Sequence, residues 1–141
     1  MSVAVIAALF CTVVLLIHTA YFIMGAIPLL ILAHDTSLDS RFVRAFFNTY
    51  YQYAMPIAGA TAISYAAAGQ WVLAAGASGL ALLAVLLRRI IISKMDTLRA
   101  GIQDGSRQAI PGFRRTHVLA IAINLVQLVL IVWSLISSSA K

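Results

Sequence analysis

The stretch FRRTHVLAIAINLVQLVLIVWSL, Phe113 to Leu135, opens with two arginines and a histidine and then runs apolar, interrupted by Asn124 and Gln127. A bilayer's hydrocarbon core is about 30 Å thick and needs roughly 20 such residues in one helix, a length this run supplies. The two amides say how the helix must sit. A side-chain amide left unpaired in hydrocarbon costs several kcal/mol, roughly, whereas an interhelical hydrogen bond returns about 0.6 to 2 kcal/mol of association. At 3.6 residues per turn His117, Asn124 and Gln127 fall near one stripe, continued by Ile131 and Ser134, so that stripe is expected to face other helices rather than lipid.

Working outward, the rest of the chain has the same character. It has 141 residues, 62% hydrophobic and only 10% charged, with a mean hydropathy of +0.98, which falls outside the composition of a soluble domain. Four spans with short connections use almost all of it, so an all-α, integral membrane, antiparallel four-helix bundle is expected. It forms a single domain with helices near 3–33, 41–68, 71–92 and 113–136. The first run, Val3 to Ala33, carries no charge; at 1.5 Å per residue it makes about 46 Å of helix, longer than a vertical crossing, and Gly25 with Pro28 predicts a kink near its end. Asp39 or Ser40 is expected to cap the second helix. Gly69 and Gln70 read as a tight connection and Trp71 as an interfacial anchor. Ala75, Gly76, Ser78 and Gly79 read as a face for close helix packing.

The net charge of +6 is explained by its distribution. Arg88, Arg89, Lys94, Arg99, Arg107, Arg114 and Arg115 fall in or beside one connection, and Arg41 and Arg44 in another, with Lys141 elsewhere. That is the positive-inside pattern, so both loops are expected in the cytoplasm and both termini outside, in a bacterial inner membrane. No cleaved leader is expected, because the first apolar run is too long and lacks a basic flank. Nucleic acid is not an expected partner: no aromatic and basic surface is left over outside the loops. The expected partners are the bilayer, a larger membrane complex or further copies of the chain. Cys11 stands alone, which excludes a disulfide framework and a cysteine metal cluster.

Candidate binding residues follow from the stripes. On the second helix Arg44, Asn48 and Gln52 or Tyr51 recur at spacings of four and three, at the same level as His117. If the two stripes face each other, Arg44, Asn48, Tyr51, Gln52, His117 and Asn124 line a polar pocket in the cytoplasmic half, joined by His34, with Gln127 deeper. Two readings stand, a pocket for a polar head on an apolar ligand, or Arg44, Arg114 and Arg115 that meet lipid phosphates, with His117 an interfacial residue. His18 is an ionisable group deep in an apolar run, which suggests an axial haem ligand, a proton relay or a neutral histidine hydrogen-bonded to Gln127, Asn124 or Thr61. Bis-histidine ligation needs a second histidine at the same depth, and His34 lies about 24 Å further along a straight helix. His34 with His117 as a metal pair lacks ligands beyond Asp35. The chain has no glutamate, and all four aspartates lie in the basic connections, so paired buried carboxylates are not available for hydrolysis or proton-coupled export. Catalytic residues are therefore not assigned.

The segment MDTLRAGIQDGSRQAIPGFRRTHVLAIAINLVQLVLIVWSL, Met95 to Leu135, resembles the C-terminal part of an uncharacterised family of small bacterial four-helix membrane proteins. AFFNTYYQYAMP, Ala45 to Pro56, resembles that family's second helix. VVLLIHTAYFIMGAIPLL, Val13 to Leu30, is similar to the first helix of HemJ and CopD type membrane proteins, which implies a haem-binding role for His18, although the third helix here carries no lysine. GAIPLL and the asparagine-bearing second helix are similar to anthrone-oxygenase-like proteins, with Phe113 where those have tryptophan. The expected function is a small membrane binding or accessory subunit with an interhelical pocket for a hydrophobic ligand or lipid. The alternative is a haem-binding redox protein using His18.

Overall fold

The computed structural model describes residues 2–139, and Lys141 lies outside them. Four antiparallel helices form a bundle: α1 is Val3–Ala26, α2 is Ser37–Ala67, α3 is Trp71–Gln103 and α4 is Ala109–Ser139. Three apolar stretches are long enough to cross a membrane, one in each of α1, α3 and α4. The second helix packs along both α1 and α3 and holds Arg44, Tyr50, Tyr51 and Tyr65 between those neighbours, while Arg41 and Tyr53 stay exposed. That shelter on two sides is what lets α2 be more polar than the others.

The exterior is apolar and much of the polarity is inside. Phe10, Ile17, Tyr21 and Met24 on α1, and Val126, Val129 and Trp133 on α4, are all more than half exposed, whereas Thr12, Thr19, His34, Thr61, His117 and Asn124 are buried. A chain with hydrocarbon outside gains nothing by burying leucine and must bury its amides and imidazoles, and this distribution follows.

Several boundaries differ from the expected ones, each for a local reason. The α-helical part of α1 stops at Ala26 instead of running to residue 33, and a 3₁₀ turn, Pro28–Ile31, takes over. Pro28 has no N–H and crowds the turn before it, and this is where the helix tightens from α to 3₁₀. α2 begins at Ser37, four residues early, because Thr36 and not Asp39 or Ser40 is the cap: its Oγ1 accepts from the Asp39 N–H at 3.1 Å. Asp39 sits instead in the first turn, where its charge complements the helix dipole. α3 does not end near Ile92. A π turn, Arg88–Ile92, absorbs the change of register and the helix continues as Ser93–Gln103, so that MDTLRAGI, Met95 to Ile102, prolongs it. α4 starts at Ala109, because Pro111 falls in its first turn, where the missing N–H has no intrahelical partner to lose. Gly69 makes the expected tight connection with φ +71.

The core is unevenly filled. At the arginine-rich end Phe22, Phe47, Tyr51 and Phe113 form a large aromatic cluster with Met95 packed among them. Midway, Leu15, Ala58 and Ile131 make a thin layer. Beyond it Ala8, Ala74 and Ala77 surround Tyr65 and Leu73. The close α2 to α3 packing therefore uses Ala74 and Ala77. Ala75, Gly76, Ser78 and Gly79, the expected packing face, are exposed, and a Cβ added at Gly76 or Gly79 would meet nothing within 4 Å. In their membrane segments α3 and α4 barely touch; α4 packs on α1, and on α3 only through Ser93–Gln103.

Candidate functional site

Asn124 and Gln127 both turn inward, with 0% and 6% exposure. The stripes of α2 and α4 do meet, at one point: the Asn124 Nδ2 donates to the Tyr51 hydroxyl at 3.1 Å and to the Ala120 carbonyl at 2.7 Å. With both of its N–H groups used, its Oδ1 is left buried without a partner. Gln127 lines, with Thr19 and Tyr50, a cavity of about 10 Å³, the room of about one water. The other candidates of that stripe go elsewhere. Gln52 is exposed on the outside of α2, since it follows Tyr51 by a 100° rotation and both cannot face the core. Arg44 reaches α3, where its Nε and Nη2 donate to the two carboxylate oxygens of Asp96 at 2.8 and 2.9 Å. Asn48 accepts from the Arg88 Nε at 3.2 Å. Arg44 and Asn48 thus line an open cleft against α3, and His117, Asn124 and Tyr51 lie in a closed core.

His117 and His34 form a buried pair, each with 0% exposure. The His34 Nε2 lies 3.1 Å from the His117 Nδ1, and the His117 Nε2 lies 2.9 Å from the Ala26 carbonyl. A carbonyl only accepts, so the His117 Nε2 carries the proton; in the neutral ring Nδ1 is then the acceptor, and His34 donates to it through Nε2. The His34 Nδ1 is left buried without a partner. His34 reaches this position only by a left-handed backbone, φ 59, which a histidine adopts more readily than most residues. Phe113 packs beside its ring, and Phe47 sets an edge against His117. The two histidines close the end of α1 onto α4. Among the described residues no cluster of three or more His, Cys, Asp or Glu side chains could hold a metal ion.

Burial and the nearby Arg114 hold the His34 imidazole below its ordinary pKa of 6.5, against the opposite pull of the Leu32 carbonyl, Asp39 and Asp35. The sign is that of a base kept neutral. Above about pH 6.5 neither folded nor unfolded chain holds the proton and stability is full; below it the unfolded chain takes the proton first, and stability falls until the folded group titrates too. Melting temperature in detergent is therefore expected to fall as the pH drops below about 6.5, at no more than about 1.4 kcal/mol per pH unit for one proton. His34→Asn, which keeps the left-handed backbone accessible, is expected to flatten that slope.

His18 does not find Gln127, Asn124 or Thr61. Its Nε2 lies 3.1 Å from the Tyr50 carbonyl, to which it can only donate, and its ring stacks on Tyr50 with centroids 4.9 Å apart. An axial metal bond through Nε2 would have to release that carbonyl. The ring forms one wall of an aromatic groove of about 310 Å³ with Tyr21, Phe22, Phe42, Phe46 and Tyr50.

A further site was not foreseen from the residues. Between α3 and α4, in the half remote from the arginines, an apolar crevice of about 120 Å³ enters the bundle past Gly76, Leu80, Leu130 and Trp133. Thr12 and Tyr65, hydrogen-bonded to each other at 2.7 Å, lie among its lining. Of its lining, Thr12 is a hydroxyl on the buried face of α1 that the sequence could have offered, but no spacing marks the crevice itself. No protein-family model, curated protein or solved structure matches the chain.

Proposed function

We propose that this chain is a small membrane-embedded binding protein that takes one hydrocarbon tail of a lipid-like molecule into the crevice between α3 and α4, without catalysing a reaction on it. On the positive-inside rule its arginine-rich end lies in the cytoplasm, so the crevice opens toward the outer leaflet. The observation that carries this reading is the crevice itself. Its walls are apolar, it draws residues from all four helices, and it lies where α3 and α4 leave each other uncovered. Its volume approaches the roughly 150 Å³ that holds a benzene ring in an engineered cavity, which suits the end of one alkyl chain and excludes a bulky polar substrate. A mostly apolar recess with a few convergent hydroxyls is the usual character of a small-molecule site.

The test uses the protein reconstituted in phosphatidylcholine vesicles with a fatty acid bearing a terminal diazirine. Photolysis is expected to label the peptides containing Gly76–Leu80 and Leu130–Ser134. Gly76→Leu fills the mouth without a steric clash at Cβ, and labelling there is expected to fall about tenfold, the equivalent of roughly 1.4 kcal/mol. Gly79→Leu, beside the crevice, leaves labelling unchanged. Equal labelling of all lipid-facing segments, insensitive to Gly76→Leu, would overturn the reading.

A further inference from the structure

The cleft on the other side of α3, at the arginine-rich end, carries a separate chemistry. It holds about 470 Å³ and is lined by Arg44, Asn48, Arg88, Arg89, Ser93 and Asp96, among others. The bidentate Arg44–Asp96 pair cancels its own charge. Arg88 and Arg89 face the same space, and among the described residues neither has a carboxylate within salt-bridge distance. Arg88 is steadied by Asn48, through Nε rather than through the terminal nitrogens of the guanidinium fork. The cleft therefore presents two uncompensated guanidinium groups beside serine and asparagine side chains, a donor set suited to phosphate oxygens.

Depth narrows the source of that phosphate. The apolar segment Trp71–Leu87 has 17 residues, about 26 Å at 1.5 Å each, close to the hydrocarbon thickness, so the π turn that begins at Arg88 starts where the hydrocarbon ends. Leu86 and Ile90, on either side, are 45% and 60% exposed and supply apolar surface next to the charges. We propose that the cleft at the π turn binds the phosphate of an anionic membrane lipid, with Arg88 and Arg89 as its ligands and Asn48 holding Arg88 in place. This inference is independent of the alkyl crevice, which lies further along α3.

Native mass spectrometry of the full chain released from phosphatidylcholine vesicles doped with phosphatidylglycerol tests it. Wild-type protein is expected to retain phosphatidylglycerol over phosphatidylcholine, and Arg88→Gln/Arg89→Gln to lose that preference by about tenfold or more. Arg114→Gln/Arg115→Gln, a basic pair outside the cleft, keeps it. Arg89→Gln alone, at an exposed side chain, gives a partial loss and keeps the test readable if the double variant unfolds. Retention that is unchanged in Arg88→Gln/Arg89→Gln overturns the proposal. So does displacement of the lipid by inorganic phosphate at equal concentration, which would make the site one for the free anion.

Discussion

His117→Leu is expected to destabilise the folded chain by about 3 kcal/mol, read as the shift in unfolding free energy in detergent titrations. The substitution is close in size and the site is fully buried, so the cost comes from the partners left behind. The Ala26 carbonyl stands at the last residue of α1, where helix carbonyls have no intrahelical N–H donor, and it loses the Nε2 donor 2.9 Å away. The His34 N–H loses its acceptor at 3.1 Å in a place water does not reach. A buried donor or acceptor left unmade costs about 1 to 3 kcal/mol, and here one substitution orphans one of each. His34→Leu orphans only the His117 Nδ1, but it also puts leucine on a left-handed backbone, a strain that the double-variant comparison cancels. The double variant His34→Leu/His117→Leu is expected to fall short of the sum by about 1 kcal/mol or more, since it removes both members of one hydrogen bond. Strict additivity would show that the two rings act independently and that the bond closing α1 onto α4 contributes nothing.

Phe47→Ala is the second large effect, about 3 kcal/mol. Hydrocarbon is as good a solvent for a phenyl ring as a protein core, so burial from lipid supplies little driving force. What the ring contributes is contact. It is fully buried, with its plane near perpendicular to Phe22 and to His117, both at a centroid distance of 4.9 Å. Truncation leaves a void bordered by those two rings, and their lost dispersion contacts set the cost. Phe42→Ala, one and a half turns earlier and 56% exposed, is the control and is expected to change stability by less than about 0.5 kcal/mol. Comparable losses at the two positions would show that the aromatic cluster is not a packed core.

Three of the four helices were legible because a crossing of lipid demands length and apolarity, and Asn124 and Gln127 gave the inward face of α4 because an unpaired amide is so costly in hydrocarbon. Local punctuation was readable where one residue type decides it, as at Gly69. Proline gave less, since it permits a 3₁₀ turn, as at Pro28, or a first helical turn, as at Pro111, as readily as a kink or a loop. Partners across the bundle were less visible. Arg44 meets Asp96 across 52 residues of sequence, and only the continuation of α3 through the π turn brings that carboxylate level with α2. His34 meets His117 through a left-handed residue that no pattern announces. His18 satisfies itself with a main-chain carbonyl, and main-chain acceptors exist at every position and so single out none. The crevice was hidden for a related reason: it is made by what α3 and α4 fail to do, and spacing rules describe contacts.

The taper of the interior, a cluster of rings at one end and mostly small side chains around the single Tyr65 ring at the other, gives the molecule unequal stiffness along its length. Interlocked rings resist sliding, whereas small side chains leave neighbouring rods free to lean. Any separation of α3 from α4 must therefore pivot about the end where Ser93–Gln103 grips α4, and a small tilt there becomes a wider gape at Gly76 and Trp133. Bilayer thickness or lateral pressure, by changing that tilt, would set how wide the mouth stands.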